Sequence, residues 1–492
     1  MQEYRLFIAG REEPAASGAT FLTSNPVDGV PWARIAEAGV ADVDRAVAAA
    51  EAALADPAWG GLTPTKRGKL LLRLADLIER DADRIAAIEV RENGKLFKEM
   101  AAQLRMVPEW LRYFGGLADK VEGRVIPLDK PTILNYTVRE PLGVVGVITP
   151  WNSPSLLTWM SAAPALAAGN SIVIKPSEVT SASILETMPL LAEAGFPAGV
   201  VNVVTGAREA GEAMAAHPGI AKIAFTGGSV AGGAIAATVA ARLGTTTLEL
   251  GGKSANIVFA DADLDAAEAG ALAGIFGAAG QTCIAGSRLF VQREVHDELL
   301  ARLVARAKGI VLGDPMAAET QMGPVATEAQ LRKIEQMVDD ARAAGASVLA
   351  GGTRATVPEL PTGLFYAPTI LSEVTNESRI AQEEVFGPVL AVMAFDTEEE
   401  VVRLANATRY GLAAGVWTRD VKRAHRVARR LQAGTVWVNL YRAITFHSPF
   451  GGFKESGTGR LNGIEAIDQF LQTKSVWLEL GEEIQDPFVL KV

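Results

Sequence analysis

The sequence predicts an α/β protein of the doubly wound class, and three observations carry that expectation. Short apolar strands alternate with helices from Val144 onward. Apolar residues in the first part of the chain recur at helical spacing among charges. The strands themselves read as short apolar, often β-branched runs, the mark of a parallel sheet covered on both faces. A chain of 492 residues with 49% hydrophobic and 21% charged residues has room for two or three domains.

Each element follows from its pattern. Val40 to Trp59 and Pro64 to Asn93 carry the spacing of amphipathic helices (Leu70, Leu71, Leu74, Leu77, Ile78, Ile85, Ile88), and a third helix is expected from Phe97 to Leu117. Thr132 to Val138 alternates like an exposed strand. Val144 to Ile148 then reads as a buried strand, Pro154 to Ala168 as a helix, Ser171 to Ile174 as a strand and Ser181 to Ala194 as a helix. Val200 to Val204, Ala210 to His217 and Ile223 to Phe225 continue the alternation. A second α/β region is expected, with helices near Leu264 to Gly277, His296 to Lys308 and Glu328 to Ala344, and strands near Val389 to Phe395 and Val436 to Val438. Lys474 to Leu480 and Phe488 to Val492 are strand-like.

Composition excludes several function classes. One cysteine forbids a disulfide framework, and with only four histidines a Cys/His zinc cluster is not expected, so no metal is assigned. A net charge of -10 argues against a polyanion-binding surface, and nucleic acid is not an expected partner. The N-terminus has no long apolar core of an export signal, and cytoplasmic location is the expectation. Pro141 to Ile174 holds no charged residue, yet Pro150, Pro154 and Pro164 interrupt it, so no membrane span is expected.

The chemistry starts at Cys283. A lone cysteine is commonly an inert small hydrophobe, but Gly280-Gln281-Thr282-Cys283-Ile284-Ala285-Gly286 is a small-residue loop that a ligand can approach, where local dipoles can favour the thiolate. No histidine lies near it in sequence; His217, His296 and His425 sit among charged helical residues, and His447 is in a Pro/Gly-rich loop. Carboxylates are therefore the better candidate bases. Glu249, between apolar neighbours and beside Gly251-Gly252, suits a raised pKa, with a strand-end salt bridge as the alternative. Gly252-Lys253-Ser254 imitates a phosphate loop, but Thr247 stands where that motif needs glycine. The Rossmann G-x-G-x-x-G turn is also missing after Ile148. Two features still point to a dinucleotide: Lys175-Pro176-Ser177-Glu178 puts an acid within reach of a ribose diol, and Phe225-Thr226-Gly227-Gly228-Ser229 leads into a helix N-terminus.

Taken in order, Pro150-Trp151-Asn152, Lys175 to Glu178, Phe225 to Gly228, Glu249 to Lys253, Gly280 to Cys283, Glu383 to Val389, Gly434 to Asn439 and Pro449 to Gly457 resemble the aldehyde dehydrogenase superfamily across nearly the whole chain. The resemblance implies a Rossmann-type cofactor domain (1–118 and 141–250), an α/β catalytic domain (251–468) and a β-strand oligomerisation arm (119–140 and 469–492) that builds a homodimer or homotetramer. It implies Cys283 as nucleophile, Asn152 and the Cys283 N–H as oxyanion donors, and Glu249 as the base that hydrolyses the thioester. Lys175 and Glu178 would hold the adenosine ribose, Glu384 the nicotinamide ribose, and Phe386 would pack beside the nicotinamide. Ile148, Thr149, Pro150, Trp151, Ser177, Gly206, Phe225, Thr226, Gly227, Gly228, Ser229, Leu250 and Gly251 complete the implied cofactor site. The carboxylate of Glu178 favours NAD over NADP.

Three positions depart from the family pattern. Gly228 stands where many members have serine, with Ser229 as a substitute; Leu461 replaces a glutamate linked to proton relay; Ala278 replaces an asparagine. The implied substrate tunnel comprises Met106, Trp110, Ser153, Leu157, Met160, Ile284, Arg442, Ile444 and Phe450, with Arg442 and Arg288 as candidate partners for a carboxylate tail. A small Ser153 leans toward aromatic or bulky aliphatic aldehydes. The alternatives are a dehydrogenase that passes the acyl group to coenzyme A, and a catalytically silent homologue.

Overall fold

The computed structural model describes residues 1–482 and Phe488. Its first sheet runs in the order Gly457–Thr458, Thr245–Glu249, Ile220–Thr226, Val144–Ile148, Ser171–Lys175, Val201–Val203, Leu6–Ile8, Arg11–Glu13. The strands from Thr245–Glu249 to Val201–Val203 are parallel, and the flanking ones are antiparallel. Val144–Ile148 and Ser171–Lys175 are buried throughout, as helices on both faces require. Because Val144–Ile148 lies between Ser171–Lys175 and the later Ile220–Thr226, strand order reverses there, and the crevice beyond its carboxyl end is where such sheets take ligands.

A second sheet orders Ser347–Ala350, Thr369–Ser372, Val389–Phe395, Arg288–Gln292, Ala255–Val258, Ala413–Trp417 and Thr435–Val438, all parallel except the first. A third pairs Leu471–Glu479 with Ile133–Pro141 along their full length and adds Val125–Ile126. Trp477, Leu478 and Leu480 on this sheet's edge are exposed. No helix among the described residues is long and apolar enough to cross a membrane.

Two features differ from the sequence expectation. The N-terminal segment forms short strands, Gln2–Tyr4, Leu6–Ile8, Arg11–Glu13, Thr20–Ser24 and Pro31–Ala36, most of them too brief for periodicity to register. The helix expected over Ser181 to Ala194 is broken into Ala182–Leu185 and Met188–Ala194. Pro189 has no N–H and its ring would meet the Leu185 carbonyl of a continuous helix. The strand expected from Phe488 to Val492 lies outside the described residues, apart from Phe488 itself.

The helix Pro64–Asn93 organises the region around the switch point. Thr63 caps it by accepting from the Lys66 N–H, and Gly94 ends it in the left-handed conformation. Its last turns bury two carboxylates that reach the N-termini of other helices: Glu89 accepts the Ser155 N–H at 3.0 Å, and Glu92 accepts those of Ala182 at 2.6 Å and Ser183 at 3.1 Å. Burial raises both acids, Glu89 to about 7 and Glu92 to about 8, against the pull of those hydrogen bonds.

Glu92→Ala should leave two buried N–H groups bare and cost about 2–4 kcal/mol, read as a lower urea midpoint. The pH dependence has a defined sign, because the folded pKa of about 8 lies above the ordinary 4.5. The contribution of Glu92 is full below that lower value and is lost as pH rises through the upper one, so stability should slope downward between them, and less so in Glu92→Gln.

Candidate active site

A cleft of about 190 Å³ opens beyond the carboxyl ends of the first sheet's parallel strands. Pro150, Trp151, Asn152 and Leu157 line it from the turn after Val144–Ile148 and the helix beyond, and Thr226, Gly227 and Gly228 from the end of Ile220–Thr226. Glu249, Leu250 and Gly251 come from the end of Thr245–Glu249, and Cys283, Gln330, Lys333, Glu384 and Phe386 from the second half of the chain. Asn152, Glu249 and Cys283 therefore share one cavity.

The chain crosses from one sheet to the other through Leu250-Gly251-Gly252 before entering Ala255–Val258. Space is minimal there: a Cβ added at Gly252 would lie 2.5 Å from the Cys283 carbonyl oxygen. The loop that carries Cys283 follows helix Leu264–Phe276 and turns through three left-handed residues, Ala278 (φ 56°), Ala279 (φ 51°) and Gly280 (φ 68°). Each alanine costs about 1–2 kcal/mol in that region. At Gly280 a side chain is also excluded sterically, since a Cβ would sit 2.0 Å from the Gly387 carbonyl oxygen. Gln281, fully buried, accepts the Ala326 N–H at 2.9 Å, and its backbone carbonyl takes one hydrogen of the Asn152 amide at 3.2 Å. An amide carries two hydrogens, so the other is left for the cleft.

Burial pushes the Cys283 thiol up to about 12, helped by the charges of Glu384 and Glu249 and opposed by Lys95. Glu249 is buried, neither carboxylate oxygen has a hydrogen-bond partner among the described residues, and burial holds its pKa well above the ordinary value, with Arg460 pulling it down. Burial thus disfavours the charged form of both groups. Leu461 is buried and its backbone pairs with Phe450, so it offers nothing to titrate.

The residues expected to hold a cofactor divide into those on the cleft and those beside it. Glu384 accepts the Gly252 N–H at 3.1 Å, and Phe386, itself left-handed at φ 58°, meets the Trp151 ring edge-on at 5.2 Å. Gly228 precedes helix Ser229–Ala241, and a Cβ there would meet nothing within 4 Å, so this corner of the cleft is open to a ligand. Beside the cleft, Lys175 is buried with its amine lowered by burial and donates to the Pro176 carbonyl at 3.2 Å. Glu178 is exposed and accepts from Ser177 Oγ at 3.4 Å. Ile148 and Phe225 are buried strand ends, and Thr149 Oγ1 pairs with Thr158 Oγ1. Gly206 packs near Ala38, and Ser229 donates to the Glu455 carbonyl; neither lines the cleft.

Among the expected tunnel residues, Leu157 lines the cleft, and Ser153, Met160, Ile284 and Phe450 are buried while Ile444 is partly so. Met106 is exposed. Trp110 is buried, donates to Asn462 Oδ1 at 2.6 Å and meets the Phe446 ring edge at 5.9 Å, with Tyr113 5.2 Å from Phe446. The arginines are engaged elsewhere. Arg442 donates to the Ala273 carbonyl at 2.9 Å, and Arg288, 1% exposed, is consumed by the Lys253, Leu404 and Ala405 carbonyls and Asn376, which removes it as a partner for a substrate tail. His447 is exposed and faces Thr445 Oγ1. Sequence reasoning missed Gln330 and Lys333, which enter the cleft from helix Glu328–Ala343. Their i, i+3 spacing puts them on one helix face but carries no motif; Gln330 also donates to the Val385 and Phe386 carbonyls.

The model described as "Aldehyde dehydrogenase family" matches residues 14–476. A protein of Acinetobacter baylyi named (Z)-2-((N-methylformamido)methylene)-5-hydroxybutyrolactone dehydrogenase is 46% identical over 100% of both chains, and an aldehyde dehydrogenase of Aspergillus niger is 45% identical over 98% of this chain and 96% of its own. Among solved structures, betaine aldehyde dehydrogenase of Staphylococcus aureus in complex with NAD+ superposes with a TM-score of 0.97 at 38% identity, covering 99% of this chain and 97% of that one. A mutant aldehyde dehydrogenase of Bacillus cereus gives 0.95 at 42% identity, covering 98% and 97%. With the family match spanning nearly the whole chain and relatives this similar over their full length, the protein belongs to the aldehyde dehydrogenase family of oxidoreductases.

Proposed function

We propose that this protein oxidises an aldehyde to the carboxylic acid with NAD, through a thioester on Cys283 that Glu249-activated water hydrolyses. The observation that carries the reading is the meeting of Cys283, Asn152 and Glu249 in a single cleft whose other wall is open at Gly228. Cys283 Sγ, its proton lost to solvent, attacks the carbonyl carbon as the thiolate, the free hydrogen of the Asn152 amide and the Cys283 N–H receive the charge that develops on oxygen, and loss of hydride from that carbon leaves the thioester. When bound, NAD supplies the hydride acceptor. Glu249, whose oxygens have no partner to release, takes a proton from water, and the hydroxide cleaves the C–S bond to free the acid.

The chain offers a consistent cradle for the dinucleotide: the N-terminus of helix Ser229–Ala241 for the pyrophosphate, Glu384 and Phe386 for the nicotinamide riboside, and Lys175 with Glu178 for the adenosine ribose. The Glu178 carboxylate would repel a 2′-phosphate, which favours NAD. Aromatic or bulky aliphatic aldehydes suit the rings of Trp110, Tyr113 and Phe446 and the small Ser153. The hydroxybutyrolactone in the name of the Acinetobacter relative is likewise bulkier than a short aliphatic aldehyde. The same reading divides the chain into a cofactor unit (1–118 and 141–250), a catalytic unit (251–468) and an arm (119–140 and 469–492), whose exposed Trp477, Leu478 and Leu480 would be covered in a homodimer or homotetramer.

Stopped-flow measurement of NADH release tests the chemistry. Cys283→Ala should abolish it, and Glu249→Gln should keep a burst of about one equivalent while steady turnover falls by about 10²–10⁴-fold. Dependence of the wild-type rate on coenzyme A would overturn the hydrolytic reading. Steady turnover should rise with pH across the neutral to alkaline range, since Glu249 and Cys283 both carry raised pKa values and both act deprotonated. A profile flat down to about pH 5 would contradict this. Finally, Glu178→Ser should narrow the NAD over NADP ratio of kcat/KM by about tenfold or more, chiefly by improving NADP.

A further inference from the structure

Outside the groups used above, one acidic side chain reaches the nucleophile loop from a distant helix. Glu99, in the first turn of helix Phe97–Leu117, accepts the Ala278 N–H on Oε1 at 2.9 Å. Its Oε2 is buried without a hydrogen-bond partner among the described residues, so the carboxylate's one hydrogen bond among them goes to the left-handed run Ala278-Ala279-Gly280. That run is followed at once by Gln281, whose carbonyl holds the Asn152 amide, and then by Cys283. We infer that Glu99 is a positioning residue for the oxyanion site: by clamping the Ala278 N–H it maintains the left-handed turn that sets both the Gln281 carbonyl and the Cys283 N–H.

The surroundings explain why an acid serves here. Lys95, buried at the end of the loop after helix Pro64–Asn93, makes no hydrogen bond through its amine among the described residues, and the Glu99 charge is the strongest influence opposing its desolvation. Arg442 closes the other side of the turn, with Nη1 on the Ala273 carbonyl and against Gly277, where a Cβ would come within 1.9 Å of it. A carboxylate group bonds a backbone N–H more strongly than a neutral acceptor does. Without the clamp, Ala278 and Ala279 have every reason to relax toward negative φ, since neither is a residue that favours the left-handed region. Relaxation would carry Gln281 and Cys283 with it.

This inference rests on the reading of Cys283 as nucleophile and Asn152 as oxyanion donor, and the test separates the two. On the full-length enzyme with saturating NAD and aldehyde, Glu99→Met, similar in length but without an acceptor, should slow the NADH burst at least tenfold while the KM for NAD stays within twofold. Glu99→Gln, which retains a carbonyl for the Ala278 N–H, should stay within about threefold of wild type. Adding Ala278→Asn to Glu99→Met should recover at least half of the lost rate on a logarithmic scale, because asparagine accepts the left-handed conformation without help. If Glu99→Met is recovered unfolded, Glu99→Ala replaces it in the same comparison. A burst unchanged by loss of the acceptor overturns the inference. So does a loss that neither Glu99→Gln nor Ala278→Asn relieves, which would mark Glu99 as a fastening between elements. A Cys283→Ala enzyme that still releases NADH would overturn the reading of Cys283, and the inference with it.

Discussion

The close backbone contact at Leu250-Gly251-Gly252 is the constraint on which the rest of the site depends. Glu249 ends an edge strand of one sheet's parallel core, and three residues after Gly252 the chain is already in the middle of the other sheet. Two sheets brought together over so few residues meet with almost no side-chain thickness between them. A Cβ at Gly251 would lie 2.6 Å from Glu384 Oε2, and one at Gly252 would press on the Cys283 carbonyl. The hydrogen bond from the Gly252 N–H to Glu384 then ties the crossing to the segment that carries Phe386. Cys283, Glu249 and the Glu384–Phe386 wall of the cleft are thus referenced to one short stretch of backbone. Widening it would separate them together.

The buried acids of this protein show how one functional group is put to opposite uses. Glu89 and Glu92 are as dry as Glu249, yet Glu89 finds one backbone N–H and Glu92 two at helix N-termini, and each acts as a rivet between helices. Glu249 finds none. Burial without compensation is costly to stability, and its persistence on the wall of the cleft beside Cys283 is the kind of local inconsistency that points to a functional group. The structure moderates that cost with a cation, since the charge of Arg460 opposes the burial that raises the Glu249 pKa.

Much of this was legible in the amino-acid order because the signals are local. Helix Pro64–Asn93 has its expected bounds, with Thr63-Pro64 at one end and Gly94 at the other, and strands Val144–Ile148 and Val389–Phe395 stand out as uninterrupted apolar runs. Cys283 and Glu249 stood out as candidates through the glycines and small residues beside them, and Asn152 only through the resemblance of Pro150-Trp151-Asn152 to the family's motif. The rest depends on contacts between distant segments. Nothing near Arg288 in sequence distinguishes a buried guanidinium that satisfies three backbone carbonyls from a solvated loop arginine. Gln330 and Lys333 belong to an ordinary amphipathic helix until the fold turns that face to the cleft. The break before Met188 could have been read from Pro189, but the helical spacing on either side concealed it.

The scarcity of cysteine has a consequence for the chemistry of damage. Cys283 is the chain's only thiol, and it faces a cleft wide enough for small oxidants. Its raised pKa slows such attack at rest, since the thiolate is the form that reacts. Once oxidised to the sulfenic acid, however, it has no second cysteine in the chain with which to form a protective disulfide. Recovery must come from an external small thiol that can enter the same cleft as the substrate, so the passage that admits an aldehyde is also the route for repair.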